Sequence, residues 1–372
     1  MTVVGAGVGG LASAIALSRI GARVTLLEQA DALQPVGAGI QISPNGYSVL
    51  RGLGLGKTVE AAGIVNRGVH LKDYRAGASV LRLDFDRYVT GQNRFVLIHR
   101  APLIEALKAA AEDAGVSFEF SHRVAPEAPP LAGEGLRVIA DGVRSAARPR
   151  ICGPEEPFFT GQVAWRAVIP DTGGAPESWV YMGPGRHLVT YPIDEGRRNL
   201  VAVEERDTWT EEGWNHRDDP EALRAAFAGF APDVRDWLAR VEDVHIWGLF
   251  RRKVARNWAR GAAVLVGDAA HPTLPFLAQG ANLALEDAWV LMKALERYPI
   301  AAGLKVYQGL RYQRVRQTIG AANNNARNFH LRNPVARGLA HTLLRVTGRV
   351  APKAAVDRFG WLYDWDATTI KV

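Results

Sequence analysis

The first 28 residues, MTVVGAGVGGLASAIALSRIGARVTLLE, decide the fold. Thr2 to Val4 reads as a short strand, GAGVGG as a turn, Leu11 to Ile20 as a helix and Ala22 to Glu28 as a second strand, together a βαβ unit. Gly5, Gly7 and Gly10 keep the G-x-G-x-x-G spacing, which lets backbone N–H groups and the helix N-terminus approach a pyrophosphate closely. Glu28 ends the second strand, where its carboxylate can accept hydrogen bonds from a ribose 2′-OH and would repel a 2′-phosphate. This stretch predicts a bound dinucleotide without saying which. It also has the look of a signal peptide, but it lacks a basic leading region and its glycines have another explanation, so no targeting signal is read.

At 372 residues and 48% hydrophobic content the chain can bury a large core, with length for two domains or one elaborated domain. No apolar run reaches the roughly 18 residues needed to span a bilayer, and a cytoplasmic location is the expectation. Cys152 is the only cysteine, which excludes an intrachain disulfide and Cys-based metal or redox pairs; no metal site is expected. Lys and Arg outnumber Asp and Glu by 45 to 38, a net charge of +7. The basic clusters Arg144 to Arg150, Arg251 to Lys253 and Arg311 to Arg316 carry no recognition motif and read as solvated faces, not a nucleic-acid site. A positive field helps to collect anionic substrates and a dinucleotide.

All ten tryptophans lie beyond residue 160, so the chain divides into two unlike parts. From Phe158 to Phe250 short β-rich runs, QVAWRAVIP, SWVYM, HLVTYPI and NLVAVEE, predict an antiparallel sheet carrying a substrate pocket, with a helical insertion near Pro220 to Phe230. The segment Gly68 to Leu97, with VHLKDY, SVLRLDF and FVLIH, is expected in the same sheet. A helix is expected from Pro102 to Ala114, with Leu103, Leu107 and Ala110 on one face. After Trp258 the βα style returns: AAVLVGDAA reads as a strand and Ala281 to Arg297 as a helix. Asp268 at that strand's end can bind a ribityl hydroxyl, and the helix N-terminus near Ala281 and Asn282 can stabilise negative charge on a reduced isoalloxazine.

Taken in order, GAGVGG with Glu28, GAGIQISPNG, HRAPLIEAL, ADGVRSAAR, AWRAVIP, GDAAHPTLPFLAQGAN and FGWLYDWD span nearly the whole chain. In this ordered set the sequence resembles the group A FAD-dependent aromatic hydroxylases, particularly the salicylate, 3-hydroxybenzoate and 6-hydroxynicotinate monooxygenase branch. The expected fold is α/β. A discontinuous Rossmann-type FAD-binding domain comprises residues 1–67, 96–157 and 258–337; an antiparallel β-sheet substrate domain comprises 68–95 and 158–257; a C-terminal helical segment comprises 338–372. The resemblance implies tightly bound, non-covalent FAD contacted by Gly5, Gly7, Gly10, Glu28, Gln41, Arg100, Val124, Asp268 and Ala281. The resemblance also implies NADH or NADPH as a transient cosubstrate taken in a groove, and O2 as the oxidant. Asp141 and Gly142 match the family's D-G motif, although VIADGVRS is one residue shorter than the usual run, from a shortened loop or an omitted residue. His271 is expected to be structural or part of the flavin loop, Pro272 and Pro275 to hold that loop close to the ring system, and Pro275 to line the substrate pocket.

His187 and Tyr191 stand in HLVTY, where a period of two puts positions 187, 189 and 191 on one face. The resemblance makes them the catalytic pair, His187 taking or sharing a phenolic proton and Tyr191 holding the same oxygen or a second polar group. It further implies hydroxylation of a small phenolic or hydroxy-heteroaromatic acid through a flavin C4a-hydroperoxide, by a monomer or homodimer without stable membrane association. The C-terminal stretch Leu339 to Val350, which has the character of a membrane-surface amphipathic helix, is expected to pack against the FAD domain. Three other readings stay open: a flavin monooxygenase for a non-aromatic or larger natural product, an NAD-dependent dehydrogenase without flavin, and a non-catalytic FAD-binding protein.

Overall fold

The computed structural model describes residues 1–33, 38–89, 91–124, 135–171, 173–209 and 216–372. Its first sheet has six strands in the order 259–260, 263–265, 137–139, 2–4, 25–27, 117–119, all neighbours parallel except the first pair. The expected strand after Trp258 thus joins the N-terminal sheet, which draws on three separate stretches of chain. The helix Val8–Arg19 runs against the helix Gly280–Arg297. A side chain at Gly10 would meet the Gly5 carbonyl oxygen at 1.8 Å, and Gly5 itself turns through φ +98°, so the sharp strand-to-helix turn demands both glycines.

The second sheet has eight strands. Its long central strands, Phe158–Pro170, Arg197–Glu205, Arg186–Pro192 and Ser178–Gly183, form an antiparallel ladder extended on the other side by Val244–Arg251. Alternation sorts their side chains. Trp165, Leu188, Leu200, Ala202 and Ile246 pack beneath the helices Pro220–Ala226 and Pro232–Ala239, while Ala164, Val201, Val203 and Trp247 face the other way, towards Leu274 and Phe276.

Three expectations need correction. The sheet is not wholly antiparallel, because Ser178–Gly183 pairs in parallel with Gly68–Asp73. FVLIH does not join it: Val96–His99 lies between Gly39–Ile42 and Ile64–Val65 in a separate three-stranded sheet, four residues buried enough on both faces to need a layer of their own. That small sheet meets the large one where the Gly39 N–H donates to Asn199 Oδ1 at 2.8 Å, an approach closed to any residue with a side chain, which would meet Ile193 and Tyr191 within 2.7 Å. Finally, the helix Pro334–Val350 packs on the edge strand Ser79–Asp84 and the helix Pro352–Asp357, not on the nucleotide-binding sheet. His341 points inward, while Val335, Leu339, Leu343, Val346 and Val350 form an exposed stripe. Among the described residues no helix is long and apolar enough to cross a membrane.

Candidate active site

The glycine turn opens onto a cavity of about 190 Å3 lined by Gly7, Glu28, Arg100, Ala6, Ala101 and Ile104 among others. Glu28 is fixed from both oxygens, Oε2 accepting from the Ala6 N–H at 2.8 Å and Oε1 from the Ala30 N–H at 3.0 Å. Nothing lies within 4 Å of where a Gly7 side chain would be, and Gly7 precedes a helix whose N-terminus has no side-chain cap, so the cradle faces open space as a pyrophosphate requires. Val124 lies two residues after His122, whose N–H bonds to the Glu28 carbonyl at 2.8 Å; it lines neither cavity described here. The shortened run before Asp141 lies partly outside the described residues. Asp141 and the left-handed Gly142 lead into Val143 and Arg144, which line the larger cavity. Burial raises the Asp141 carboxyl, and backbone and Ser145 hydrogen bonds only partly offset it.

That larger cavity, about 260 Å3, lies between the second sheet and the segment Thr273 to Ala281. It is lined by His187, Tyr191, Gln41, Asp268, Pro275 and Ala281, six positions drawn from three distant stretches. Burial raises the Asp268 carboxyl, opposed by His271 and by Arg100, a residue of the smaller cavity. The two cavities are therefore neighbours, one at the glycine turn and Glu28, the other at Asp268 and the uncapped helix start at Gly280 and Ala281.

Register places the catalytic candidates. His187 pairs with Val203, Val189 with Val201 and Tyr191 with Asn199, while Arg166 on the next strand pairs with Val201. Arg166 thus sits two strands, about 10 Å, from the point midway between His187 and Tyr191, and Val189, Val201 and Val203 floor the space between. Arg166 stands in AWRAVIP without a motif of its own; its signal in the sequence is a lone charge between Ala164 and Val168 on one face of the strand. Its guanidinium lies 4.9 Å from the Trp247 ring centre, Nε is buried without a partner, and no ion pair holds it among the described residues. Burial lowers its pKa, yet arginine begins so high that it stays charged.

His187 is buried against Phe276 and Phe329, and burial with the nearby His330 holds its imidazole well below the ordinary value. Burial pushes the Tyr191 hydroxyl up to about 12, so it stays protonated. Behind the cavity the Asn282 side chain accepts from the Ser43 N–H at 3.0 Å and donates to the Gln41 carbonyl at 3.0 Å, and Gln279 bonds Ser43 and Asn45. Asn45 reaches Glu286, which Arg311 and Arg314 also grip. His271 is structural: its Nε2 lies 2.6 Å from Asp287, which also accepts from Arg311 at 2.7 Å and from the Gly267 N–H at 2.9 Å. Burial raises Asp287, but His271 and Arg311 outweigh it and hold it ionised. Ala278, left-handed at φ +52°, turns the chain into the helix at the cavity mouth, a strained position these bonds hold in place.

A glycine-turn cradle, a second uncapped helix N-terminus packed beside it and a sheet-walled cavity at that second helix fit a flavoprotein of the FAD-binding class. The chain matches the FAD binding domain family over residues 1–128 and 137–321 and belongs to it. It is 33% identical over 402 residues to 3-amino-4-hydroxybenzoate 2-monooxygenase of Streptomyces platensis, covering 100% of this chain and 97% of that protein. It is 30% identical to 3-hydroxybenzoate 6-hydroxylase of Polaromonas naphthalenivorans over 98% of this chain and 95% of that protein. Klebsiella pneumoniae HpxO, solved with FAD and uric acid, superposes with a TM-score of 0.83 at 25% identity, covering 97% of each chain.

Proposed function

We propose that this protein is a single-component monooxygenase that uses NADH or NADPH and O2 to hydroxylate a small aromatic acid carrying a ring hydroxyl, and that it works in the cytoplasm. The observation that carries this reading is the placement of the unpaired Arg166 guanidinium across an apolar floor from His187 and Tyr191. A carboxylate at one end, a flat ring over Val189, Val201 and Val203 and a hydroxyl at the other end match that spacing. The relatives' named substrates combine the same groups. A cavity of about 260 Å3 that must also admit a flavin ring disfavours a larger natural product.

FAD, when bound, would accept a hydride from the nicotinamide and deliver one oxygen atom of O2 to the ring. Glu28, Arg100 and the Gly5, Gly7, Gly10 turn would hold its adenosine diphosphate half, and Gln41, Asp268 and Ala281 its ribityl and ring end. Arg166 anchors the substrate carboxylate. Neutral His187 takes the hydroxyl proton, because a phenolate ring is the better nucleophile. Tyr191, protonated, donates to the same oxygen. The valine floor, with Phe276 and Trp247, excludes water from the reacting atoms.

The test is a screen of hydroxybenzoates and hydroxypyridine carboxylates for stimulated NADH and NADPH oxidation, with products identified by mass spectrometry. Stimulation with one added oxygen atom in the product is expected. A panel in which no acid raises the rate, or in which only uncharged or non-aromatic compounds do, would overturn the proposal.

A further inference from the structure

A buried ring is a poor place to store a proton, yet the site offers His187 as its base. The next atoms resolve this. His187 Nδ1 lies 2.6 Å from His330 Nε2, and His330 Nδ1 lies 3.0 Å from Glu205 Oε1. His330 ends the helix Ile300–Phe329 and is buried, whereas Glu205, at the end of its strand, is partly exposed. The other Glu205 oxygen accepts from Arg332 Nε and Nη2 at 2.9 and 2.6 Å.

Hydrogen-bond logic fixes the tautomers. Burial raises the Glu205 carboxyl, but Arg332 and His330 outweigh it and keep it ionised. An ionised carboxylate only accepts, so His330 Nδ1 carries the proton and donates it. Burial, aided by Arg332 and Arg186 and opposed by Glu205, keeps His330 neutral near pH 7. Its Nε2 is therefore bare and accepts from the His187 Nδ1–H. That leaves a bare Nε2 on the His187 ring, which lines the cavity.

We propose that His187, His330 and Glu205 form a proton relay that carries the substrate's hydroxyl proton from the cavity to the protein surface. The relay rests on the substrate being a ring-hydroxylated acid. The substrate O–H bond breaks, its electron pair stays on oxygen, and an N–H bond forms at His187 Nε2. The His187 Nδ1 proton passes to His330 Nε2, the His330 Nδ1 proton passes to Glu205 Oε1, and the carboxylic acid releases it to solvent. Neither imidazole has to persist as a buried cation. Run backwards, the same path returns a proton and resets both tautomers. His187 touches the substrate; His330 and Glu205 are positioning residues that act through it.

The test uses oxidised holoenzyme carrying 4-hydroxy-3-nitrobenzoate, whose phenolate is coloured, in a stopped-flow jump to higher pH. Glu205→Gln keeps the size and an acceptor oxygen but cannot take the proton, and His330→Phe removes both relay nitrogens. Each is expected to slow the appearance of bound phenolate by on the order of 10²-fold, with FAD content and probe affinity little changed. Arg206→Gln, which disturbs the same surface but bonds Glu204 and not Glu205, should keep the fast rate. Wild-type speed in Glu205→Gln overturns the relay, and so does an equal slowing in Arg206→Gln; Glu205→Gln decides alone if His330→Phe does not fold. Failure of the wild-type holoenzyme to bind the probe would instead overturn the substrate reading beneath it.

Discussion

Replacing Arg166 by Met separates substrate recognition from folding. The guanidinium has no ion-pair partner among the described residues, so an incoming carboxylate would form new charge-assisted hydrogen bonds to a half-buried group. Removing one member of such a pair typically costs about 2–5 kcal/mol. At about 1.4 kcal/mol per tenfold this is roughly a 30-fold to several-thousand-fold loss in affinity. Without substrate the sign reverses, because Met fills the same space and removes a half-buried charge that no ion pair compensates, so the melting temperature should hold or rise. The assay titrates oxidised holoenzyme with 3-hydroxybenzoate and with 3-hydroxybenzamide, following the visible flavin band. Wild type should prefer the acid by the factor above, and Arg166→Met should bind the two nearly equally. An Arg166→Met enzyme that keeps the wild-type preference for acid over amide would refute the anchor.

His187→Ala and Tyr191→Phe should retain FAD but form less product per NAD(P)H consumed, the missing electrons appearing as H2O2; unchanged coupling in both would remove them from the chemistry. Glu28→Ala and Asp268→Ala should purify with less FAD, read as flavin absorbance per protein, and full occupancy in both would count against the proposed cofactor contacts. Arg311→Met should destabilise the fold by about 3–5 kcal/mol in denaturant melts, because Glu286 and Asp287 then lose a buried cation; a change below about 1 kcal/mol would contradict the network. His187 has a lower pKa folded than unfolded, so the unfolded chain binds more protons below about pH 6.5. Stability should therefore be full above that pH and fall as pH drops below it, with a shallower fall in His187→Gln; identical slopes would mean that His187 is not neutral in the fold.

Local features were legible in the sequence because their causes are local. The GAGVGG turn must bend sharply before a helix: Gly5 turns through φ +98°, and a side chain at Gly10 would meet the Gly5 carbonyl five residues back. Alternation in HLVTY determined that His187 and Tyr191 share a face, since a strand's period is set by its own backbone. What lies opposite that face was decided only by tertiary structure. Arg166 meets the His187 and Tyr191 region through strand register, which depends on long-range pairing that no single strand encodes. His330 reaches His187 from 143 positions away because a 30-residue helix ends there, and nothing in its own neighbourhood marks it. The misplaced FVLIH strand has the same origin: a short apolar run fits any sheet that will bury it, and the partner is chosen by the approach of Gly39 to Tyr191 and Asn199. Sequence alone thus determined the dinucleotide turn, the element types and the faces of the strands. The tertiary packing decided which faces meet, because burial rewards contact without specifying the partner.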